Sequence, residues 1–393
     1  MSVKLKVLFI TTVLPAKKRM GSEVASQAII DCLVDIGVDV TVVGYVRSKD
    51  NYALRSNEIC IGPRHIESKS AGIYPLVWLA RSFVHRVPYS LAKYVSGWYV
   101  LAVQKLLTAN NYDLVFIDHV QMSWLIDAVP LKGKLIGLAH NVEHQMYRSF
   151  IGEQKTGLRR WIYERESNLI ENVEQAFVNR VDQLWVLTKH DADTFSRIKK
   201  NGSIKEVALP ASSISTADMA DKEYDIGLIG SWTWKPNEEG LRWFFDQVYP
   251  NLPTNLSIRV AGSGAQWLVG RYINVKYVGF VDDAYLFLQQ ARVIAIPTLS
   301  GGGIQIKTLD AIASGSRIVA TTLAVRGIHD FPRTVSVADM PADFSVKLTS
   351  SVCEPDTELA LFDEAVQWST MRYARFRSVV AENITAREQM GSI

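Results

Sequence analysis

The sequence predicts an α/β protein with two doubly wound parallel sheets that follow one another along the chain. Short runs rich in Val, Ile and Leu alternate with longer amphipathic segments, and this alternation starts again past the middle of the chain. The 393 residues are enough for two domains of ordinary size. Because parallel strands need helical crossovers, each series of strands and helices is expected to form its own layered βαβ domain.

The first series contains five predicted strands, each short and bounded by polar or glycine-containing segments. After the first strand, apolar residues of segment 25–36 recur at helical spacing and Gly37 follows, which predicts a helix that ends there. The predicted strands of this series are 7–11, 38–44, 114–118, 134–139 and 183–187.

The second series contains six predicted strands, 224–230, 256–261, 275–278, 293–297, 317–321 and 334–337. Segment 210–222 before it is polar and has no periodic apolar pattern, so it is predicted to be a linker. We therefore expect an N-terminal domain over residues 1–209 and a C-terminal domain over residues 223–357. A final helical segment, 358–393, is expected to cross back to the first domain.

Composition excludes several classes of protein. A net charge of +3 is too small for a dedicated nucleic-acid binder. The three cysteines, Cys32, Cys60 and Cys353, form no CxxC pair, so neither a disulfide framework nor a zinc site is expected. The first apolar run is short and no run is long enough to span a bilayer, which indicates a cytoplasmic protein.

The most informative stretch is 296–315, where Gly301–Gly303 and Ile304 separate a predicted strand from a predicted helix. A glycine backbone can approach a ligand closely, and a helix N-terminus offers N–H groups to a phosphate. Lys307 and Asp310 lie one turn apart on that helix, which suits a phosphate and a ribose diol respectively. The alternative is a flexible turn before an ordinary amphipathic helix, but the position after a strand favours a phosphate site.

A second glycine turn follows the strand that opens the second series. Gly230 and Ser231 could let the backbone approach a pyrophosphate, and Lys235 could bind it as a point charge. The alternative is a solvated lysine. Trp243 and Phe244, further along, are expected to be core residues.

In the first half, a basic loop connects the first strand to the first helix. Gly21 and Ser22 lie at the predicted helix start, where an open α/β sheet binds ligands. Lys17, Lys18 and Arg19 precede them and are equally compatible with a solvated loop.

Polar side chains also cluster after two later strands of the first series. His140, Glu143 and His144 follow one strand, and Asp118 and His119 end another. Such a cluster could bind sugar hydroxyls or move a proton, or its members could only cap the next helix. A metal site at His140, Glu143 and His144 is not expected, because no further ligand-rich motif appears.

Segment 71–107 mixes Trp and Tyr with basic residues. This composition is compatible with a membrane interface, but an ordinary helix pair over a sheet is the preferred interpretation.

With these motifs in hand, the chain resembles the GT-B glycosyltransferases, and most of all family 4. The resemblance covers nearly the whole chain. The first strand with its glycine turn comes first in the family's order, followed by HNVE at 140–143, VLTKHDADTF at 186–195, GSWTWKPNEEGLRWF at 230–244 and GGGIQIKTLDAIASG at 301–315, of which the last two are the specific ones. It implies two Rossmann-like domains facing a central cleft, and a nucleotide-sugar donor, UDP- or GDP-linked, with no metal or other cofactor.

The resemblance also implies roles for single residues. Lys235 and Lys307 would stabilise the leaving diphosphate, and Asp310 would hold the donor ribose. Gly21 and Ser22 would approach the diphosphate from the opposite domain. His140 would lie near the donor sugar, with Glu143 facing the sugar and acceptor.

This sequence departs from the family at one position. The family usually has two glutamates eight positions apart around the second-domain loop; the second matches Asp310, but the first falls on Gly302. A side chain that would contact the transferred sugar is therefore missing, and the loop backbone is expected to take its role.

The predicted function is sugar transfer to a glycan or lipid-linked acceptor, with retention of configuration, in bacterial surface polysaccharide or glycoconjugate synthesis and with possible peripheral membrane contact. Two alternatives are a catalytically inactive scaffold of the same fold, which the missing glutamate favours, and a nucleotide-sugar epimerase. A dinucleotide-dependent dehydrogenase is disfavoured because no GxGxxG follows the first strand.

Overall fold

The computed structural model describes residues 4–48, 51–66, 71–151, 157–211, 220–354 and 358–385. The chain divides into two compact units, one comprising Met1–Val207 with Arg377–Ile393 and the other Ala208–Phe376. Most of the predicted linker 210–222 lies outside the described residues, which omit 212–219.

The first unit is built on a seven-stranded sheet whose neighbouring strands all run parallel. Its spatial order is β3-β2-β1-β4-β5-β6-β7. All five strands predicted for this half are present. The strands are β1 (Lys6–Val13), β2 (Asp39–Arg47), β3 (Glu58–Arg64), β4 (Leu114–Asp118), β5 (Lys134–Ala139), β6 (Gln183–Val186) and β7 (Ser203–Glu206).

The two strands that the pattern missed, β3 and β7, are the edges of this sheet. Both are half-buried along most of their length, and β3 contains a glycine and a proline. An edge strand needs an apolar surface only where it touches the sheet, so neither sequence shows the continuous apolar run of a central strand.

Helices cover this sheet, and their apolar residues form a core together with those of the central strands. Helix α1 begins at Gly21, the predicted glycine at the helix start. The helices of the first unit are α1 (Gly21–Asp35), α2 (Tyr74–His85), α3 (Tyr89–Ala92), α4 (Gly97–Ala109), α5 (Leu125–Ala128), α6 (Glu143–Ile151), α7 (Gly157–Arg180) and α8 (Lys189–Ser196).

The second unit repeats this architecture with a six-stranded parallel sheet of order β10-β9-β8-β11-β12-β13. All six predicted strands are present, and Phe244 is fully buried as expected, with Trp243 packed edge-on against Phe344. The strands are β8 (Tyr224–Ile229), β9 (Ile258–Ala261), β10 (Val275–Gly279), β11 (Ala291–Ile296), β12 (Arg317–Ala320) and β13 (Val335–Val337). The helices are α9 (Lys235–Trp243), α10 (Ala284–Gln289), α11 (Ile306–Ala313) and α12 (Pro341–Cys353).

The last described helix, α13 (Glu358–Thr385), contributes to both units, with the division after Phe376. Its final turns pack on the first unit through buried Val380 and Ile384. Asn383 there accepts a hydrogen bond from the Gln183 side chain on β6 (3.2 Å).

Each sheet reverses its strand order once, between β1 and β4 in the first unit and between β8 and β11 in the second. In an open α/β sheet, ligands bind outside the carboxyl ends of the strands at such a reversal. The glycine turns and polar clusters predicted from the sequence all follow strands at or beside these two points.

Helix α9 packs closely against the end of β11 through Gly240. A Cβ atom at Gly240 would lie 1.7 Å from the carbonyl oxygen of Pro297, and backbone cannot yield as a flexible side chain can. The absence of a side chain therefore sets the distance between the two elements that frame the reversal in the second sheet.

We expect Gly240→Ala to destabilise the protein by about 1–3 kcal/mol, because the overpacked backbone contact outweighs the better helix propensity of alanine. Chemical unfolding of the wild-type and variant proteins measures the difference. Gly97→Ala is the matched control, since Gly97 begins α4 and a Cβ atom there meets nothing within 4 Å. Equal stability of the Gly240→Ala variant and the wild type would contradict the close contact.

Candidate functional site

The loop after β8 is fixed by backbone contacts to the loop after β9. The Gly230 N–H donates to the Ala261 carbonyl (3.2 Å), and the Trp232 N–H donates to the Ser263 carbonyl (2.8 Å). The buried indole of Trp232 also donates to the Ala261 carbonyl (2.8 Å). Gly262 has φ +105°, and a Cβ atom there would lie 1.8 Å from the Gly230 carbonyl oxygen. The turn at Gly230 is therefore held in place by its neighbour.

The glycine loop after β11 has a conformation that requires glycine, with φ +106° at Gly301 and +66° at Gly303. The Arg326 guanidinium holds it by donating to the carbonyl of Gly301 (3.1 Å) and twice to that of Gly303 (2.7 and 3.1 Å). Helix α11 then begins at Ile306, and the side chain of its cap residue Gln305 makes no capping hydrogen bond. The loop thus leads directly into a helix N-terminus of the kind that binds anions.

The two loops are joined by side chains. Lys307 donates to the Asn237 side-chain oxygen (3.1 Å), and the Asn237 amide donates to the Ser231 carbonyl (3.0 Å). Ser300 donates to a carboxylate oxygen of Glu239 on α9 (2.8 Å). The structure therefore brings the predicted residues of the second unit together at the carboxyl ends of β8 and β11.

The two predicted lysines have different surroundings. Lys307 lies 5.9 Å from the Trp232 ring centroid, and burial lowers its pKa to about 8. Lys235 at the start of α9 has a half-exposed side chain 3.5 Å from a carboxylate oxygen of Glu239. Asp310 is half-buried one turn beyond Lys307 on α11. The arrangement offers an inner cation, Lys307, with Asp310 one turn along the same helix, and an outer cation, Lys235, beside Glu239.

Sequence reasoning missed two residues of this site, Arg326 and Asn237. Asn237 lies within the segment that predicted Lys235, where it was not distinguished from its polar neighbours. Arg326 follows β12 in a stretch that resembles none of the motifs considered in the sequence, so only the fold shows its position. The turn Gly262–Gly264 supports the β8 loop, because backbone atoms of that loop approach both glycines too closely for a Cβ atom.

In the first unit, the polar cluster at the carboxyl ends of β1, β4 and β5 is centred on Asp118. One carboxylate oxygen accepts hydrogen bonds from Thr11 (2.6 Å) and Ser26 (2.8 Å), and the other lies 2.7 Å from His140 Nε2. Burial opposes ionisation, but His119 and His140, with hydrogen bonds from His140 and Thr11, lower the pKa of Asp118 to about 2. Asp118 is therefore a carboxylate at neutral pH.

In the neutral imidazole of His140, the hydrogen bond to this ionised carboxylate places the proton on Nε2, and Nδ1 is then an acceptor. Among the described residues, Nδ1 is buried and has no hydrogen-bond partner. His119 stacks on His140 with ring centroids 4.1 Å apart and has φ +72°, a conformation uncommon outside glycine. Burial lowers the pKa of His119 to about 4 against the opposing effect of Asp118, so His119 is neutral at pH 7.

The described residues whose ligand atoms converge are Asp118, His119 and His140, with these atoms within 4.8 Å of one another. The metal site considered from the sequence had other ligands, His140, Glu143 and His144. In the structure, Nδ1 of His144 lies 2.7 Å from Glu174. Asp118 already binds two hydroxyl groups and one imidazole, so a metal ion would have to displace these hydrogen bonds. The residues fit a hydrogen-bonded cluster better than a metal centre.

Helix α6 begins beside this cluster, and Glu174 on α7 caps it. Glu174 accepts hydrogen bonds from the backbone N–H groups of Glu143 (2.7 Å) and His144 (3.0 Å). Burial and the nearby Glu174 carboxylate raise the pKa of Glu143 to about 7, although a hydrogen bond with Gln121 opposes the shift. Glu143, His119 and His140 line one small pocket. The structure thus brings two of the predicted site residues of the first unit, His140 and Glu143, to the same pocket.

Gly21 and Ser22 form the first turn of α1, as predicted, but a carboxylate already lies there. Glu23 accepts a hydrogen bond from the Arg19 backbone (3.0 Å) and pairs with Arg47. Glu23 thus lies in the first turn with its charge paired to Arg47, and the cap residue Met20 makes no side-chain hydrogen bond to the helix N-terminus. The role of Gly21 and Ser22 stays a prediction.

A comparison with protein families identifies the second unit. The family described as glycosyl transferases group 1 matches residues 223–350, which lie within it. The second unit is a group 1 glycosyltransferase domain. The match covers the β8 turn, the glycine loop, Lys307 and Arg326, which together form the site described above.

Solved structures of glycosyltransferase type share the fold of the whole chain. Sucrose-phosphate synthase from Thermosynechococcus elongatus is 13% identical over 98% of this chain and 97% of that one, with a TM-score of 0.64. The Anabaena protein HepE, solved with UDP and glucose, is 12% identical over 97% and 100%, with a TM-score of 0.63. UDP-glucose: anthocyanidin 3-O-glucosyltransferase, solved with UDP, is 11% identical over 98% and 100%, with a TM-score of 0.54.

At these identities the likeness concerns the fold, and it confirms the predicted GT-B class with two Rossmann-like domains. With the family match, the chain is a glycosyltransferase, as predicted. No curated protein matches it. Within the described part of the chain, no helix is long and apolar enough to cross a membrane.

The raised pKa of Glu143 predicts a pH-dependent stability. Between about pH 4.5 and pH 7, the folded protein keeps a proton that an unfolded glutamate loses, so this group makes the protein less stable as pH rises through that window. Because glutamine does not titrate, the free energy of unfolding of the Glu143→Gln variant should fall by about 1–3 kcal/mol less than that of the wild type over this pH range. Thermal unfolding from pH 5 to 7.5 measures it as the difference between variant and wild type.

Glu164→Gln is the control, since Glu164 lies on α7 of the same unit with a half-exposed side chain paired to Arg160. Its curve should run parallel to that of the wild type. A constant difference between Glu143→Gln and wild type across the pH range would show that Glu143 has no raised pKa.

Proposed function

We propose that this glycosyltransferase, acting like the family 4 enzymes, moves a sugar from a UDP- or GDP-sugar to a glycan or lipid-linked acceptor. The single observation that carries the proposal is the chain of hydrogen bonds Lys307–Asn237–Ser231 at the reversal of the second sheet. It places a cation between two glycine turns and beside a helix N-terminus, where a diphosphate would be held from several sides.

The charges of the site support a nucleoside diphosphate as the leaving group. Lys307, Lys235 and the N-terminus of α11 supply positive potential, and Arg326 adds a third cation beside the glycine loop. Asp310, one turn from Lys307, suits the two hydroxyl groups of a ribose. With this much positive charge from the protein, the departing diphosphate is stabilised without a metal ion, and we propose a metal-independent reaction.

We expect the nucleotide to be UDP rather than GDP, because HepE and the anthocyanidin glucosyltransferase were solved with UDP. Retention of the anomeric configuration follows the family 4 resemblance. Donor hydrolysis without acceptor tests it: ¹H NMR of the first sugar released from an α-linked donor should show the α anomer, and the β anomer would contradict retention.

The first unit supports a role in binding sugar hydroxyls. His140 Nδ1 can accept a hydrogen bond from a hydroxyl, and Glu143, with its pKa of about 7, can donate or accept one near neutral pH. We propose that these residues face the sugar and the acceptor. The proposed setting is the synthesis of bacterial surface polysaccharide or glycoconjugate in the cytoplasm, at the inner face of the membrane.

The lowered pKa of Lys307 predicts how nucleotide affinity depends on pH. Below about pH 8 the lysine is charged and attracts the diphosphate, while above it the free protein loses that charge. We expect the Kd for UDP to be nearly constant from pH 6.5 to 7.5 and to rise by up to about tenfold per pH unit well above pH 8. Isothermal titration of the protein with UDP, and in parallel with GDP, ADP and dTDP, measures this profile.

Lys307→Met should weaken UDP binding by about tenfold or more at pH 7 and flatten the profile. Lys276→Met is the matched control, because Lys276 is an exposed lysine on β10 of the same unit, and its profile should equal that of the wild type. If Lys307→Met binds UDP with unchanged affinity, or if no nucleotide binds the wild type, the donor site proposed here is wrong.

A further inference from the structure

Helix α2 has two opposite faces, and the described residues of the protein cover only one of them. Trp78 and Ser82, one turn apart, are buried, and the Lys93 ammonium lies 5.6 Å from the Trp78 ring centroid on that side. The opposite face is an apolar stripe at the three- and four-residue spacing of a helix, and its members are exposed or largely exposed. The stripe consists of Ile73, Leu76, Val77, Ala80, Phe83 and Val84.

The stripe is unusual because its residues expose a large part of their apolar surface. Ile73 is 70% exposed, Leu76 66% and Val84 76%. Single exposed apolar residues are common on protein surfaces, but a contiguous set along one helix face marks a surface that contacts something apolar.

The start of α7 extends this surface. Phe83 stacks on Trp161 with ring centroids 6.2 Å apart, and Arg165 holds the two helices together by donating to the Ser82 hydroxyl (3.0 Å) and carbonyl (2.9 Å). Leu158 and Ile162, close to Trp161 on α7, are exposed too. The stripe of α2 and these three residues of α7 are called the α2–α7 apolar surface below.

The charge around the surface indicates the chemistry of its partner. From Ala71 to Tyr112 the sequence contains no Asp or Glu but four Lys or Arg residues and one His. Arg159 and Arg160 are exposed at the start of α7, beside Leu158 and Trp161. An apolar helix face bordered by arginines, with tryptophan at its margin, is the pattern of a helix that lies in the interface of an anionic membrane.

We propose that the α2–α7 apolar surface docks this enzyme on an anionic phospholipid bilayer. The apolar stripe would enter the boundary between headgroups and acyl chains, and the arginines would contact lipid phosphates. This inference rests on the membrane location proposed above and identifies the surface that would contact the membrane. It does not depend on nucleotide binding, because the surface belongs to the first unit and the proposed donor site to the second.

Co-sedimentation of the full chain with vesicles tests the proposal. We expect the protein to bind vesicles of phosphatidylcholine that contain about 30% phosphatidylglycerol, an anionic lipid. Binding should weaken in high salt, and vesicles of pure phosphatidylcholine should bind little protein. The double variant Leu76→Ser with Val84→Ser should raise the lipid concentration for half-binding by at least about tenfold. Arg160→Gln should raise it by about fivefold.

Two matched controls come from the same chain. Val346→Ser changes a valine on α12 that is 63% exposed, and Lys189→Gln changes an exposed cation which, like Arg160, has an acidic partner four residues later. Both should bind vesicles like the wild type. Thermal unfolding with and without UDP, measured free of lipid, shows whether each variant is folded and separates a failure of docking from a failure of the proposed donor site.

Two results would overturn the proposal: the wild type fails to bind anionic vesicles, or the double variant binds them as the wild type does. If the wild type fails to bind and sedimentation velocity shows a wild-type dimer that the double variant loses, the surface is instead a contact between two copies of the chain.

Discussion

The second sheet depends on backbone segments that approach one another too closely for any side chain. A Cβ atom would lie 1.7 Å from the Pro297 carbonyl oxygen at Gly240, 1.8 Å from the Gly230 carbonyl oxygen at Gly262, and 2.7 Å from the Thr233 nitrogen at Gly264. These contacts hold the ends of β8, β9 and β11 together and so place the turn at Gly230 beside the start of α9. The side-chain chemistry of the site is built on this frame, because Lys307 reaches Asn237 only if the two helices begin side by side.

In the first unit, a buried charge connects the elements at the reversal of the sheet, whereas in the second unit close backbone packing does so. Asp118 is buried and ionised, and it keeps that state because two hydroxyl groups and an imidazole donate to it. The donors come from β1, α1 and the end of β5, so one carboxylate connects three elements at the reversal of the sheet. Its position also fixes the orientation of His140, whose free acceptor nitrogen is then a consequence of the hydrogen bond on the other side of the ring.

Strands with a continuous apolar run could be predicted from sequence, and the reason is burial on both faces. All nine central strands of the two described sheets were predicted. Of the four edge strands, which are less buried and carry a weaker apolar pattern, β10 and β13 were predicted and β3 and β7 were missed. The site was predicted as separate stretches that each follow a strand. Which residues meet could not be predicted: nothing local pairs Asp118 with His140, or Arg326 with a loop over twenty positions earlier. Likewise, the apolar pattern of α2 does not say which side the protein covers.

Arg326 explains how a glycine loop can take over from a side chain. In a trans peptide the N–H points away from the C=O, so the carbonyls of Gly301 and Gly303 that point at Arg326 direct the N–H groups of Gly302 and Ile304 to the other side. At the proposed donor site, the arginine would thereby draw two negative dipole ends away from the diphosphate and leave the positive ends for it. A glutamate at position 302 would instead add a negative charge to this loop. Glycine at that position therefore favours a loop that binds an anion through its backbone, while the expected contact of that backbone with the transferred sugar stays a prediction.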